Sequence, residues 1–199
     1  MSKLSKIILL TLWALIAGGC SFNAGFNSTY LPPAGVTSKV DESVLVVMTQ
    51  EEQDWVYSGN PTSFTGGAST LNVPLGDITK QIALEVFSRH FQKAELANEL
   101  PEPSPYKLMV NPRVQHFEYA YNQLKNLGFA ITPEVKIDLD VTFYDQSGNE
   151  MLKKTYDSGI RSGSSYMVSG APSEKINQAI HETLYDLLDQ AAKEIINQL

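Results

Sequence analysis

The sequence predicts one α+β domain, an antiparallel or mixed sheet with two helices packed on one face. Three observations carry this expectation. Apolar residues recur at helical spacing twice, once after Asp77 and once after Pro172. Between these two stretches lies a cleanly alternating segment. Val135, Ile137, Leu139, Val141 and Phe143 face one way, and Glu134, Lys136, Asp138, Asp140 and Thr142 face the other. No repeat of fixed period and no second apolar core appears, so 39–199 reads as a single domain.

The elements follow in order. Residues 21–38 are rich in Ser, Asn, Gly, Thr and Pro and read as a tether, with 20–38 as its full extent; the aromatics Phe22, Phe26 and Tyr30 are unusual in a linker. Ser43–Thr49 is an apolar, β-branched run and reads as a buried strand. Around the breakers Pro61, Gly66 and Gly67, the fragments at 55–59 and 69–76 suggest a hairpin. Asp77 reads as an N-cap, and the stripe Ile78, Ile82, Ala83, Val86, Phe87, Phe91 and Ala94 as one helix, stopped by Pro101, Pro103 and Pro105. Leu108, Val110 and Val114 alternate, and the phase then shifts to Phe117, Tyr119 and Tyr121. That shift predicts a bulge, and Pro112 points to an edge or bulged strand. Residues 122–133 read as an irregular insertion before the alternating strand. Asp145–Asn149 reads as a turn into a hairpin partner at 150–156. Residues 158–170 are Gly- and Ser-rich. From Pro172, the residues Ile176, Ile180, Leu184, Leu187, Leu188, Ala191 and Ile195 line one face of a long helix.

Catalytic groupings are sparse. His90, His116 and His181 show no metal-ligand spacing, and the two on helices read as flank or surface residues. Residues 163–167 lack the second glycine of a nucleophile elbow, and Gly66-Gly67 is not followed by the Lys of a phosphate-binding loop. Asp138 and Asp140 share a strand face about 6.5–7 Å apart, but with Lys136 beside them a solvated sheet face is the simpler reading. No catalytic residue, metal or cofactor is implied. Aromatic side chains in loops can instead carry recognition, which makes Phe117, Tyr119, Tyr121 and Phe129, with Phe64 in the Gly-rich loop at 59–69, the candidate partner contacts. The alternative is that they cover one end of the sheet.

The N-terminus is the most specific stretch. Lys3 and Lys6 precede an apolar run from Ile7 to Ala17 broken only by Thr11, and Gly18-Gly19 leads to Cys20, the only cysteine. A basic start, a short apolar run and small residues make residues 1–19 a cleavable secretory signal. The run is shorter than the roughly 20 apolar residues of a membrane span. Ala17-Gly18-Gly19-Cys20 resembles the lipobox of bacterial lipoproteins, with Ala17 where Leu is usual. The resemblance implies cleavage before Cys20 and acylation there, and stable anchoring follows from more than one acyl chain. In that family Asp after the cysteine retains a lipoprotein in the inner membrane, so with Ser21 there the resemblance implies the outer membrane, with the domain facing the periplasm. Removing residues 1–19 removes two Lys and no acid, so the formal charge moves from −7 to −9. That balance excludes a basic, nucleic-acid-binding surface.

The order helix, three strands, C-terminal helix, after CSFNAGFNSTYLPP, resembles the lipopolysaccharide-assembly lipoproteins and other small envelope lipoproteins. The likeness rests on element order and carries over no residue except Cys20. It implies a non-catalytic, outer-membrane-anchored accessory or assembly factor that binds an envelope protein. A carrier for a lipid or glycan is the alternative reading, and a hydrolase the third.

Overall fold

The computed structural model describes residues 21–33, 35, 39–63, 65, 69–101, 103–123, 130–167 and 172–199. The expected signal segment, Cys20, Phe64 and Phe129 lie outside the described residues. Within them the architecture is α+β, with three α-helices and two mixed sheets.

The larger sheet has seven strands. β2 (Val40–Val47) lies between β5 (Phe91–Ala97) and β6 (Leu108–Asn122) and runs parallel to both. β6 pairs antiparallel with β7 (Ala130–Asp145) along almost its whole length, from Leu108↔Asp145 to Asn122↔Thr132. The far edge of β7 is covered in series by three shorter strands. β10 (Tyr166–Met167) lies opposite 130–131, β9 (Arg161–Ser162) opposite 134–135 and β8 (Glu150–Asp157) opposite 138–144. A small second sheet places β4 (Thr70–Val73) between β1 (Ser21–Asn23), which is parallel to it, and β3 (Tyr57–Gly59), which is antiparallel.

The alternating strand takes the face its pattern demands. Val135, Ile137, Leu139, Val141 and Phe143 are all 0–1 % exposed, because period-two side chains must share a face and only one face carries the helices. The bulge falls between Val114 and His116, where the apolar phase shifts. Pro112 lies within β6 rather than on an edge strand, yet beyond Val110, the last residue that β2 pairs. Its missing N–H therefore leaves the β2 ladder intact. The turn after β7 closes with Gly148 at φ 79°, and the Asp145 side chain accepts from the Ser147 and Asn149 amides.

Both long helices, α2 (Leu75–His90) and α3 (Pro172–Ile196), cover the same sheet face as expected. Their stripes, Ile78, Ile82, Val86 and Phe87 on one and Ile180, Leu184, Leu188 and Ile195 on the other, are fully buried with the inner face of the sheet. The opposite face holds a smaller cluster of Leu45, Val47 and Met109, against which Leu100, Tyr106 and Tyr144 pack.

Three local expectations are corrected and one element is added. α2 begins at Leu75 with Pro74 as N-cap, and Asp77 lies within the first turn, paired with Lys80 2.7 Å away. Entry three residues earlier is favoured because Leu75 is fully buried and the Gly76 amide donates to the Trp55 carbonyl. The helix also stops at His90, and Phe91–Ala97, read as its last turns, is β5. A short helix α1 (Gln50–Gln53) follows β2, opened by a capping box in which Thr49 and Glu52 bond each other's amides. Finally, the stretch 122–133, read as an irregular insertion, is strand at both ends, with Asn122 in β6 and Ala130–Pro133 in β7; 124–129 lie outside the described residues.

Candidate functional site

The residues after Cys20 do not hang free. Ser21, Phe22 and Asn23 pair in parallel with Thr70, Leu71 and Asn72, and the Ala24 amide donates to the Asn72 carbonyl 2.9 Å away. Phe22, Ala24 and Leu31 pack against the main core. A single 3₁₀ turn at Ser28–Tyr30, capped by Asn27, carries the chain across α3. The stretch read as a tether is therefore part of the folded domain through residue 33. The physical reason is that its aromatic and aliphatic side chains bury apolar surface, which a solvated linker cannot do.

His181 holds this strap. Its place in the helical pattern predicts a flank or surface position, but it is 0 % exposed. Its Nε2 lies 2.9 Å from the Asn27 amide, and its Nδ1 lies 2.8 Å from the Asn177 carbonyl oxygen. An amide can only donate and a carbonyl can only accept. The ring is therefore neutral, with its proton on Nδ1. Tyr30 meets the ring edge-on, with centroids 5.4 Å apart, and Phe26 leans on it at 5.6 Å. Asn177 Nδ2 adds a bond to the Gly25 carbonyl at 2.8 Å. Burial pushes the His181 imidazole below its ordinary value.

The aromatic contact candidates meet a different fate. Phe117, Tyr119 and Tyr121 are brought together, but they are 5 %, 1 % and 6 % exposed. Tyr57 packs edge-on to Phe117 at 4.6 Å, and Tyr119 packs edge-on to Tyr121 at 5.7 Å. The Tyr119 hydroxyl donates to the Gly59 carbonyl at 3.1 Å, and burial raises its pKa above the usual phenol range. These three side chains cover the end of the sheet and leave almost no surface for a partner. The bulge explains this, because it turns Phe117, Tyr119 and Tyr121 onto the core face.

The other histidines stay apart from this centre. His90 Nε2 is 2.6 Å from Asp189 Oδ1, and Lys193 reaches the other oxygen at 2.5 Å. Burial alone would raise Asp189, but the Lys193 and His90 contacts hold it below the usual carboxylate range. His116 is half exposed beside Glu118. Among the described residues no group of three or more His, Cys, Asp and Glu converges on a point that could hold a metal. Among them, too, no helix is long and apolar enough to cross a membrane.

A cleft that the sequence did not announce opens between α1, the start of α2 and the bulged part of β6. Its volume is about 340 Å³, and Trp55, Glu51, Leu75, Thr79, Arg113 and Gln115 contribute to its lining. Trp55 is 38 % exposed at this cleft, whereas Thr79 is 1 % exposed and its hydroxyl has no hydrogen-bond partner. The cleft exists because β2 leaves β6 after Val110 and turns into α1, uncovering one edge of the bulged strand. Trp55 reads in the sequence as part of the strand fragment at 55–59, so no local signal marks the cleft.

No family model and no curated protein matches the sequence. Solved structures do resemble the fold. A Xanthomonas campestris protein of the family DUF330 superposes with a TM-score of 0.51 at 14 % identity, covering 90 % of this chain and 99 % of that one. A minor lipoprotein from Acinetobacter baumannii gives 0.36 at 12 % identity over 79 % and 95 % of the two chains. Rare lipoprotein B from Shewanella oneidensis gives 0.32 at 10 % identity over 78 % and 92 %. At this identity the likeness to the Xanthomonas chain is one of fold.

Proposed function

We propose that this chain is an outer-membrane lipoprotein, acylated at Cys20 after removal of residues 1–19, whose periplasmic domain serves as a non-catalytic accessory or assembly factor for an envelope protein. The observation that carries the reading is the junction at Cys20. The only cysteine follows a signal-like run and small residues, and the next residue, Ser21, is already hydrogen-bonded into β1. A lipid at Cys20 would hold the domain directly against the bilayer, with no slack between them. Two acyl chains at about 0.8 kcal/mol per buried CH₂ make such attachment stable, where one chain does not. The chemistry around the histidines supports a non-catalytic role. Both His181 nitrogens are committed to main-chain groups, and His90 is committed to Asp189.

The test is Cys20→Ala in cells. The expected outcome is an uncleaved or soluble species in place of a processed, outer-membrane one. Processed protein that still fractionates with the outer membrane would overturn the anchor. For the partner, in-cell crosslinking of the wild type should recover one envelope protein reproducibly. A second reading, binding of a small ligand, is favoured by the cleft beside Trp55.

A further inference from the structure

We infer that the cleft between α1, the start of α2 and β6 binds a neutral saccharide of about disaccharide size. The inference gives a chemistry to the ligand-binding reading and does not depend on the anchor at Cys20. Four features lead to it. The volume, about 340 Å³, lies at the lower end of the range for small-ligand sites. Trp55 offers a partly exposed ring at the cleft, a surface suited to the C–H face of a pyranose.

The third feature is the Thr79 hydroxyl. It is buried and unpartnered in a fold whose other buried polar groups are mostly satisfied, and it lines the cleft. A buried hydroxyl without a partner costs stability. A ligand that both donates and accepts hydrogen bonds removes that cost. Sugar hydroxyls do both.

The fourth feature is the polar lining itself. Glu51 and Gln115 supply acceptors and an amide, and Arg113 is among the lining residues. The signs are mixed, and with acids at 51 and 52 and a net charge of −7 the setting disfavours a strongly anionic ligand. The exposed edge of β6 could in principle accept a peptide strand. However, the gap closes at both ends. β2 pairs as far as Val110 on one side, and the Thr62 amide bonds the Tyr119 carbonyl at 2.8 Å on the other. A compact ligand fits that gap, whereas a through-running strand does not.

The test is isothermal titration of the full chain, held in a detergent without sugar headgroups, with maltose and with N,N′-diacetylchitobiose as probes. Saturable binding of at least one probe in the millimolar range is expected, and the two arms show whether acetamido groups are required. Trp55→Ala should weaken binding at least about tenfold by removing the stacking surface. Thr79→Val should weaken it by about five- to tenfold while leaving the melting temperature unchanged or higher, since the hydroxyl makes no bond within the protein. Two results would overturn the inference. One is that neither probe binds. The other is that a probe binds the wild type, Trp55→Ala and Thr79→Val equally. Either would leave the Cys20 fractionation result untouched.

Discussion

His181 shows how one buried side chain decides the state of a segment. As the neutral Nδ1–H tautomer it accepts from Asn27 and donates to Asn177, tying residues 21–33 to α3. Protonation would place a second N–H against the Asn27 amide, two donors face to face. The unfolded chain binds that proton near the ordinary value of 6.5, and the folded chain only at lower pH. Between these values the unfolded state binds more protons, so stability is complete above about 6.5 and falls as pH drops through the folded value. Each pH unit inside that window removes up to about 1.4 kcal/mol. Denaturant midpoints measured from pH 7.5 down to 5 should therefore fall in the wild type. In His181→Gln the midpoint should start lower and fall less. The difference between the two curves isolates His181 from His90 and His116. Parallel curves would show that the imidazole has no such role.

At the scale of elements, α1 and the start of α2 meet backbone to backbone at Gly76. A Cβ on Gly76 would lie inside contact distance of the Glu52 carbonyl oxygen and 2.6 Å from that of Gln53. Both are main-chain atoms, so neither can rotate away. Ala is worth about 1 kcal/mol over Gly in a helix interior, but overpacking of this kind costs about 1–3 kcal/mol. With a rigid opposing backbone the clash prevails. Gly76→Ala should lower stability by about 1–2 kcal/mol, seen as a lower urea midpoint at unchanged slope. Equal or greater stability would mean that α1 moves freely against α2. The same junction forms the floor of the Trp55 cleft, so its rigidity also bears on the proposed ligand site.

For the whole molecule, β7 is the organising strand. β6 covers one edge of it, and β10, β9 and β8 cover the other in turn. Its inner face is fully buried under the two helices. Opening it requires breaking both ladders and the core together, whereas β5, β9 and β10 are edges or short pairings. Native-state hydrogen exchange should find the slowest amides in β7 and the facing part of β6, with β9 and β10 orders of magnitude faster. Uniform protection across the sheet would contradict this hierarchy. The strap at 21–33 also packs on the main core, so the folded unit already includes Ser21.

Much was legible in the sequence because it is local. Period-two alternation at 135–143, the turn around Gly148, the phase shift after Val114, the first helical stripe as far as Phe87 and the second along its whole length each lie within one element, and backbone geometry dictates which residues share a face. The α+β class followed from them, and the lone cysteine after a signal-like run pointed to the envelope. What only the tertiary structure decided depends on partners far away in the chain. Phe91–Ala97 is rich in helix formers, but parallel pairing with β2 makes it a strand. Phe117, Tyr119 and Tyr121 pass from candidate contacts to core because Tyr57 and the small sheet close over them. Residues 21–33 pass from tether to strap because His181, more than 150 residues later, supplies the acceptor for Asn27. The cleft beside Trp55 exists only where β2 parts from β6. Patterning within an element reports which face is buried; what buries it, and which gaps remain, are set by how distant elements close on one another.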